Sequence, residues 1–279
     1  MSRPVDKLGQ ILESTFGLAF LAHLLGLDAN PLLVGTVNAG EISRRAERFS
    51  LLDLKRPLFE TFTEFIIDYP MGMHRDWIFL SRELFNAKEA LSNVLAKVAP
   101  VLVELGFVSA FDEKMQYVVG LQASYLDVTK QTKWQSNADA WWTTPNTLPT
   151  LQGRSSKPTD FAIDEALMNP KWLTHVSFAV KPKVLEIETA QDWLALVDAF
   201  PIEAKVLYLE NWAVVSDSDR NWVWIPNWRQ VSEDYTGVYL SPAAYLGVSY
   251  RFLHSPDGRE TFLSGWSPGA TYWLPRIDL

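Results

Sequence analysis

The stretch Val184-Leu-Glu-Ile-Glu-Thr-Ala-Gln-Asp-Trp193 decides how the C-terminal half of this chain folds. Residues 183–187 are rich enough in apolar and β-branched side chains to predict a short strand. Thr189, with Asp192 three residues later, is typical of a helix cap, and residues 190–199 are predicted to form that helix. The stretch therefore indicates a strand that passes directly into a helix.

Short β-prone segments separated by turn residues continue from this stretch to the C-terminus. The predicted strands lie at residues 175–180, 183–187, 205–209, 212–215, 222–225, 238–240, 252–254, 261–263 and 272–274. The same half holds nearly all of the tryptophan, since only Trp77 of the twelve precedes residue 130. Many short strands with turns between them favour a small, bent, mostly antiparallel sheet.

The N-terminal half has a different pattern, with apolar residues at helical spacing. Helices are predicted at residues 5–27, 39–48, 57–69 and 81–105. Pro100 is expected to kink or split the last helix, and Gly106 to cap it. Two β-prone segments then flank a polar turn at residues 112–114 and predict a hairpin. Helices before a hairpin are typical of a winged helix, but the lack of a basic recognition helix favours a helical bundle with an incidental hairpin.

The sequence thus predicts an α+β protein of two domains. An all-helical N-terminal domain is expected over residues 1–130. An aromatic-rich α+β domain, with a small bent sheet and a few helices, is expected over residues 131–279. The polar residues 130–137 are the predicted linker between them.

Composition excludes several classes of function. The formal net charge is −8 and both halves are acidic, which argues against a protein that binds nucleic acid through its phosphates. The chain has no cysteine, and its four histidines lack metal-binding spacing, so no metal site is expected. The longest apolar run, residues 16–27, is too short to cross a bilayer, and the N-terminus does not resemble a signal peptide. A cytoplasmic protein is therefore expected.

Short motifs in the C-terminal half, taken in order, resemble a large set of actinobacterial proteins of uncertain function. They are Trp142-Thr143-Thr144-Pro145, the stretch 184–193, Asn227-Trp228, Asp234-Tyr-Thr-Gly-Val-Tyr-Leu-Ser241, Gly265-Trp266 and Thr271-Tyr-Trp-Leu274. The match covers residues 138–274 and leaves out the helical half. This group is loosely similar to the ADP-ribosyltransferase fold, in which a small split sheet clamps NAD.

The resemblance implies an NAD-binding ADP-ribosyltransferase, a toxin or defence effector with a macromolecular target. Its reaction passes through an oxocarbenium-like state, which needs a nearby anion, phosphate contacts and an aromatic surface for nicotinamide. Glu188 or Asp234 would stabilise the ribosyl cation, and Glu186 would point to the same face as Glu188. The residues expected to line the cofactor cleft are Trp142, Thr143, Thr144, Arg154 and His175. The helical half would present the target or hold the enzyme in check.

Each of these residues also has a structural interpretation. Trp142 is a candidate for the core, Thr143 and Thr144 suit a strand end, and Glu188 fits helix capping. Arg154 suits a solvated loop, and His175 suits a structural role in a strand.

The chain also departs from the pattern of the resembling group. Thr236 and Tyr239 stand where an acid and a histidine are expected, and Gly269-Ala270 where an acid and a hydroxyl are expected. These departures favour an alternative function, a catalytically degenerate, non-enzymatic protein-interaction module. Its helical half would mediate partner docking or self-association. A winged-helix regulator with a C-terminal sensor domain is the second alternative.

Overall fold

A computed structural model of the chain describes residues 4–27, 38–53, 58, 61–62, 65, 77–119, 143–145, 149–152, 173–176, 178, 180–205 and 222–274. The helices are α1 (Pro4–Leu8), α2 (Thr15–Leu24), α3 (Ala39–Arg48), α4 (Trp77–Asn86), α5 (Lys88–Glu104), α6 (Ala190–Ala199), α7 (Trp228–Asp234) and α8 (Pro242–Val248). Short 3-10 turns lie at Gly9–Glu13, Leu51–Asp53 and Glu113–Met115. No described helix combines the length and the apolar character needed to span a bilayer.

The strands are β1 (Gln116–Val119), β2 (Pro149–Gln152), β3 (Leu173–His175), β4 (Val184–Ile187), β5 (Pro201–Lys205), β6 (Trp222–Pro226), β7 (Gly237–Leu240), β8 (Phe252–His254), β9 (Glu260–Phe262) and β10 (Ala270–Trp273). Six of them form one sheet in the order β3-β1-β2-β10-β7-β4. Every pairing in that sheet is antiparallel except that of β4 with β7. The strands β5 and β6 form one separate two-stranded sheet, and β8 and β9 form another. The prediction of an α+β protein is confirmed.

The N-terminal helices follow the sequence pattern in part. Helix α3 occupies the predicted residues, and Asn38 caps it by accepting a hydrogen bond from the Glu41 amide at 3.0 Å. The predicted helix over residues 5–27 is instead interrupted by a 3-10 turn and by Ser14. The Ser14 hydroxyl accepts from the Gly17 amide at 2.8 Å and starts α2 there. Most of the helix predicted at residues 57–69 lies outside the described residues.

The helix predicted over residues 81–105 begins earlier and divides at a different place. The break falls at Ala87, between α4 and α5, and α5 continues through Pro100. The split predicted at Pro100 is therefore wrong. An internal proline costs about 3 kcal/mol, but Val98 and Leu102 on either side are fully buried. Packing of this apolar face outweighs the local penalty.

Gly106 ends α5 as predicted. Its φ of 79° lies in the left-handed region, which a glycine adopts without a steric penalty. The Gly106 amide donates to the Val103 carbonyl and the Phe107 amide to the Leu102 carbonyl, each at 3.0 Å. This pair of bonds is the Schellman arrangement, and it turns the chain so that Phe107 enters the core.

The all-helical N-terminal domain is not confirmed, because β1 belongs to the region predicted to be helical. It pairs with β2 on one side and β3 on the other, inside the six-stranded sheet. Residues 107–110 form no strand, so the hairpin predicted around residues 112–114 does not form. The predicted domain boundary and linker fall within residues 120–142, outside the described residues.

A buried polar network fixes β1 in the sheet. The Gln116 side chain, which is fully buried, donates to the Asp112 carbonyl at 2.9 Å. Its Oε1 accepts hydrogen bonds from the hydroxyls of Thr150 in β2, at 2.7 Å, and of Thr271 in β10, at 3.3 Å. Because buried polar groups are costly unless they are bonded, these bonds specify one register for three strands.

The described helices and strands share one hydrophobic core. Helix α8 packs on α2 and on the 3-10 turn at Gly9–Glu13. Phe16 of α2 contacts Tyr245 of α8 and also Tyr250, with ring centroids 5.4 Å and 5.1 Å apart. Among the described residues, the N-terminal helices are therefore packed directly on the C-terminal half.

Candidate functional site

Two glutamates and a buried tyrosine meet at the end of β4. Glu186 lies beside Tyr239 in the parallel pair of β4 and β7, and its carboxylate accepts from the Phe111 amide at 2.9 Å. Glu188 follows two residues later, so its side chain leaves the strand on the same side. Burial raises the pKa of Tyr239 above its ordinary value of 10.0, and the charges of Glu186 and Glu188 raise it further. The phenol therefore stays protonated beside two carboxylates.

The N-terminal segment covers Glu188. Lys7 of α1 forms an ion pair with its carboxylate, and the two side chains are 23% and 26% exposed. The Gln10 side chain donates to the Glu188 carbonyl. The carboxylate with the clearest resemblance to a catalytic acid is thus held by a residue 181 positions away.

The backbone at Glu188 also serves helix capping, as its structural interpretation predicts. The Asp192 carboxylate accepts from the amides of Glu188 and Thr189, at 3.1 Å and 2.8 Å. The Thr189 hydroxyl in return accepts from the Asp192 amide at 3.2 Å, which completes a capping box for α6. Strand end and helix start are therefore fixed together, and the direction of Glu188 is fixed with them.

Asp234, the other candidate acid, is not close to Glu188. It is exposed and ends α7, three residues before β7 begins. Glu188 follows the opposite end of the parallel strand β4, whose first residue, Val184, pairs with Gly237. The start of β7 is therefore level with Val184, and Glu188 lies four residues further along, which is about 13 Å. The two acids cannot act on one atom from these positions.

Thr143 and Thr144 are buried, and the bonds of Thr143 are structural. The Thr143 hydroxyl donates to the Ser264 carbonyl at 3.2 Å and accepts from the Ser264 amide at 3.0 Å. Its own carbonyl accepts from the Trp228 indole at 3.1 Å. Thr143 thus links its own segment to Ser264 before β10 and to Trp228 at the start of α7.

Three of the motifs that carry the resemblance supply the indoles of one group, the tryptophan cluster of Trp193, Trp228 and Trp266. Their ring centroids lie 6.0–6.3 Å apart, and each is at least nine-tenths buried. Each indole nitrogen has an acceptor: Thr261 for Trp193, Thr143 for Trp228 and Ala270 for Trp266. These tryptophans therefore form part of the core.

His175 lies on the opposite edge strand of the sheet from the glutamates. It is exposed on β3, where its Nε2 is 2.8 Å from the Lys114 carbonyl and its ring meets Tyr117 edge-on. β3 and β4 are opposite edges of the six-stranded sheet. The remaining candidates for the cofactor cleft, Trp142 and Arg154, lie outside the described residues.

Two departures from the pattern have structural explanations. The Thr236 hydroxyl accepts from the Lys183 amide at 2.9 Å and donates to the Lys183 carbonyl at 3.1 Å. These two bonds fix the start of β4. Gly269 has a φ of 75°, in the left-handed region where an acidic side chain would be strained. Its amide donates to the Leu240 carbonyl at 2.9 Å, so the turn leading into β10 depends on this conformation.

The contact between residues 7–17 and residues 246–251, here called the N-terminal seam, contains unusual polar groups. Buried atoms without a hydrogen-bond partner include Gln10 Oε1, Ser249 Oγ and Arg251 Nε. Tyr250 between them has a φ of 59°, which is rare for a residue with a side chain. Burial lowers the pKa of Arg251, an effect that Glu13 opposes. The seam thus contains buried polar atoms without hydrogen-bond partners and a strained backbone at Tyr250.

Lys7 and Gln116 are residues that the sequence pattern did not single out. Lys7 lies on a short helix with no motif around it, and its partner is identified only by the folded structure. Gln116 sits in a β-prone segment, where a single polar residue gives no sign of a network. Within the described part of the chain, no group of three or more His, Asp or Glu side chains is placed to hold a metal ion.

Compared with protein-family models, curated proteins and solved structures, the chain matches none of them.

Proposed function

We propose that this chain acts by binding another protein and does not transfer ADP-ribose. One observation carries the proposal: side chains that the resemblance assigns to the NAD site already serve the fold. The Thr143 hydroxyl is bonded to Ser264 in both directions, and the Glu188 carboxylate is paired with Lys7. The Thr143 hydroxyl cannot contact nicotinamide without first breaking a bond of the fold, and the Glu188 carboxylate could reach a ribosyl cation only beside the Lys7 ammonium.

The spread of the candidate residues supports the same conclusion. An acid and the residues that hold the cofactor must converge on one substrate, because catalysis depends on their joint positioning. His175 lies on one edge strand of the six-stranded sheet, and Glu188 follows the other edge strand. Asp234 lies at the other end of the strands from Glu188. This scatter is what a degenerate, non-catalytic homologue would show.

Exposed apolar side chains offer surface for a partner. Leu52 is 94% exposed, Val180 77% and Trp222 49%. Scattered exposed apolar residues are common in soluble proteins, but a half-exposed tryptophan is a frequent anchor of protein interfaces. Trp222 lies on the side of the β5–β6 pair opposite the buried Val223. Trp224 is on the same side, but it packs partly against the core and under Arg259, 5.1 Å from its ring centre.

ADP-ribosyl transfer is the second candidate, and the pairing of Glu186 with Glu188 favours it. Two carboxylates on one side of a strand end suit the stabilisation of a cationic transition state. Lys7 would have to leave Glu188 before the acid could act. Because both side chains are partly exposed, the pair contributes only about 0.2–1 kcal/mol, so its release is energetically feasible.

Titration with NAD separates the two candidates. Wild type, Lys7→Ala and Lys7→Ala/Glu188→Gln would be followed by thermal unfolding and tryptophan fluorescence. The interaction proposal expects no change at millimolar NAD in any of them. A ligand at a hundredfold excess over its Kd raises stability by about 2.7 kcal/mol, which thermal unfolding resolves.

The contradicting result is a rise in stability of wild type or Lys7→Ala that the double variant loses. That result would support the transferase. Arg48→Ala is the matched control, because it removes an exposed cation from α3, a helix that packs on α4 and α5. Far-UV circular dichroism of each variant would establish that the fold is retained.

A further inference from the structure

A groove runs between α3 and the α4–α5 pair. Its volume is about 680 Å³, and Ala46, Ala87 and Ala90 line it. Ala46 and Ala87 are nearly fully buried and form the floor. The groove follows α5 from Ala87 to Lys97, ten residue steps or about 15 Å of helix. The accessible apolar lining is Ala90 and Ala96, and polar side chains of Ser43, Asn86 and Asn93 lie beside them. The groove is long enough for about ten residues of another helix.

Two of the three charged side chains that line the groove are acidic, and the third is Lys97. Glu47 and Glu89 line it, are exposed, and have no ion-pair or hydrogen-bond partner among the described residues. Lys97 also lines the groove, but its ammonium donates to the carbonyls of Ala46, at 3.3 Å, and Phe49, at 2.8 Å. Lys88 at the start of α5 pairs with Glu13. Arg48 does not line the groove.

Helix stability explains only one of the two acids. Glu89 lies in the first turn of α5, where a negative charge favours the helix dipole. Glu47 lies in the last turn of α3, where a negative charge opposes the dipole. Its position therefore weakens α3 slightly while adding charge to the groove.

The two carboxylates lie toward different ends of the groove. Glu89 is near the Ala87 end of α5. Glu47 follows Ala46, whose carbonyl Lys97 reaches, so it lies toward the Lys97 end. Eight residues of α5, from Glu89 to Lys97, span about 12 Å, or slightly more than two helical turns.

We propose that this groove binds an amphipathic helix of a partner protein, with basic residues about two turns apart beside a small apolar face. Its lysines or arginines would pair with Glu47 and Glu89, and its apolar face would pack on the accessible alanines Ala90 and Ala96. The inference rests on the proposed function, since it names the surface and the chemistry through which that binding occurs.

The probe is a synthetic helical peptide of about 14 residues, built of alanine and leucine with two lysines about seven residues apart. Its affinity would be measured by fluorescence anisotropy for wild type, Glu47→Lys, Glu89→Lys and the groove-filling Ala90→Trp. Each charge reversal is expected to weaken binding about five- to tenfold, and Ala90→Trp to abolish it. Glu104→Lys, which reverses an exposed charge at the far end of α5, is the matched control and should change affinity less than about twofold.

Three results would overturn the inference: no binding by wild type at millimolar peptide, an equal loss in Glu104→Lys, or undiminished binding by Ala90→Trp. An equal loss in Glu104→Lys would mean general attraction to an acidic protein. Thermal unfolding of each variant separates loss of the groove from loss of the fold. This titration contains no NAD, so a negative result would contradict only the assignment of the groove as the binding surface. NAD binding in the earlier titration would contradict the proposal that the chain acts by binding another protein.

Discussion

The tryptophan cluster and the N-terminal seam are both buried and both join distant parts of the chain. They differ in whether their buried polar groups have hydrogen-bond partners. In the tryptophan cluster, each of the three indole nitrogens and the Thr143 hydroxyl has a partner. In the N-terminal seam, Gln10, Ser249 and Arg251 each leave a buried atom unpaired. A buried polar group without a partner costs about 1–3 kcal/mol.

This difference predicts which of the two regions is more stable and which opens first by local unfolding. The tryptophan cluster combines large apolar burial with complete hydrogen bonding, which favours one rigid arrangement. The N-terminal seam adds polar penalties and a strained Tyr250 to its apolar packing. We therefore expect local opening to begin in the seam, where the N-terminal segment covers Glu188.

Trp193→Ala tests the cluster with the largest expected effect. The side chain is fully buried and its indole nitrogen is bonded to Thr261. Truncation of a buried tryptophan costs about 3–5 kcal/mol through lost burial and the cavity left behind, measured by urea denaturation. Trp222→Ala, at a residue 49% exposed, is the control and should cost much less. Equal costs at the two sites would mean that the cluster is not the core of this half.

Thr143→Val tests the polar bonds of the cluster at nearly constant volume. The change removes the hydroxyl that bonds both backbone groups of Ser264, a residue 1% exposed. Leaving a buried amide without this partner should cost about 1–3 kcal/mol in the free energy of unfolding. Thr143→Ser keeps the hydroxyl and should recover most of the loss. A valine variant as stable as wild type would show that these bonds contribute nothing.

Ser249→Ala applies the same test to the seam and should give the opposite sign. The Ser249 hydroxyl is buried with no hydrogen-bond partner. Its removal eliminates a desolvated polar group, so the free energy of unfolding should stay unchanged or rise by up to about 1 kcal/mol. Urea denaturation beside Thr143→Val gives the comparison directly. Destabilisation by Ser249→Ala as large as that of Thr143→Val would remove the distinction between the regions.

The smallest effect is expected at the solvent-facing turn between β8 and β9. A hydrogen bond from Ser255, followed by contacts with Arg259, holds the pKa of Asp257 below its ordinary value of 3.8. Because the folded-state pKa is the lower one, the stabilisation is present above pH 3.8 and disappears as pH falls through the folded-state value. Asp257→Asn should therefore be slightly less stable than wild type at pH 7.

The difference between Asp257→Asn and wild type should vanish in strong acid. Urea midpoints at pH 7 and at stepwise lower pH check this. A difference that grows with acidification would contradict the assigned direction of the shift. Because this turn is exposed, the measurement shows how little a satisfied polar group contributes outside the core.

Local rules predicted several elements well. The strand–cap–helix unit at residues 184–199, helix α3 and the Gly106 cap all depend on residues within a few positions of one another. Prediction failed where a local preference competed with packing. Pro100 was expected to kink or split a helix, but α5 continues through it without a break, and β1 joined a sheet instead of a hairpin.

The candidate site was less predictable than the elements. The spacing of Glu186 and Glu188 predicts that both point to one side of β4, and the charges of both raise the pKa of Tyr239. The spacing could not show that Lys7 covers Glu188 or that His175 lies at the other edge of the sheet. Those facts depend on strand order and on contacts between residues far apart in the chain.

The sequence by itself determined the α+β class, the caps and most of the short strands, because periodicity, capping and turn chemistry act between near neighbours. Only the tertiary structure decided that the tryptophan motifs meet in one core and that the N-terminal segment lies over Glu188. The physical reason is that these contacts gain their energy from burial and hydrogen bonding, which exist only once distant segments have come together. A motif can therefore fix a residue's local conformation without fixing its role.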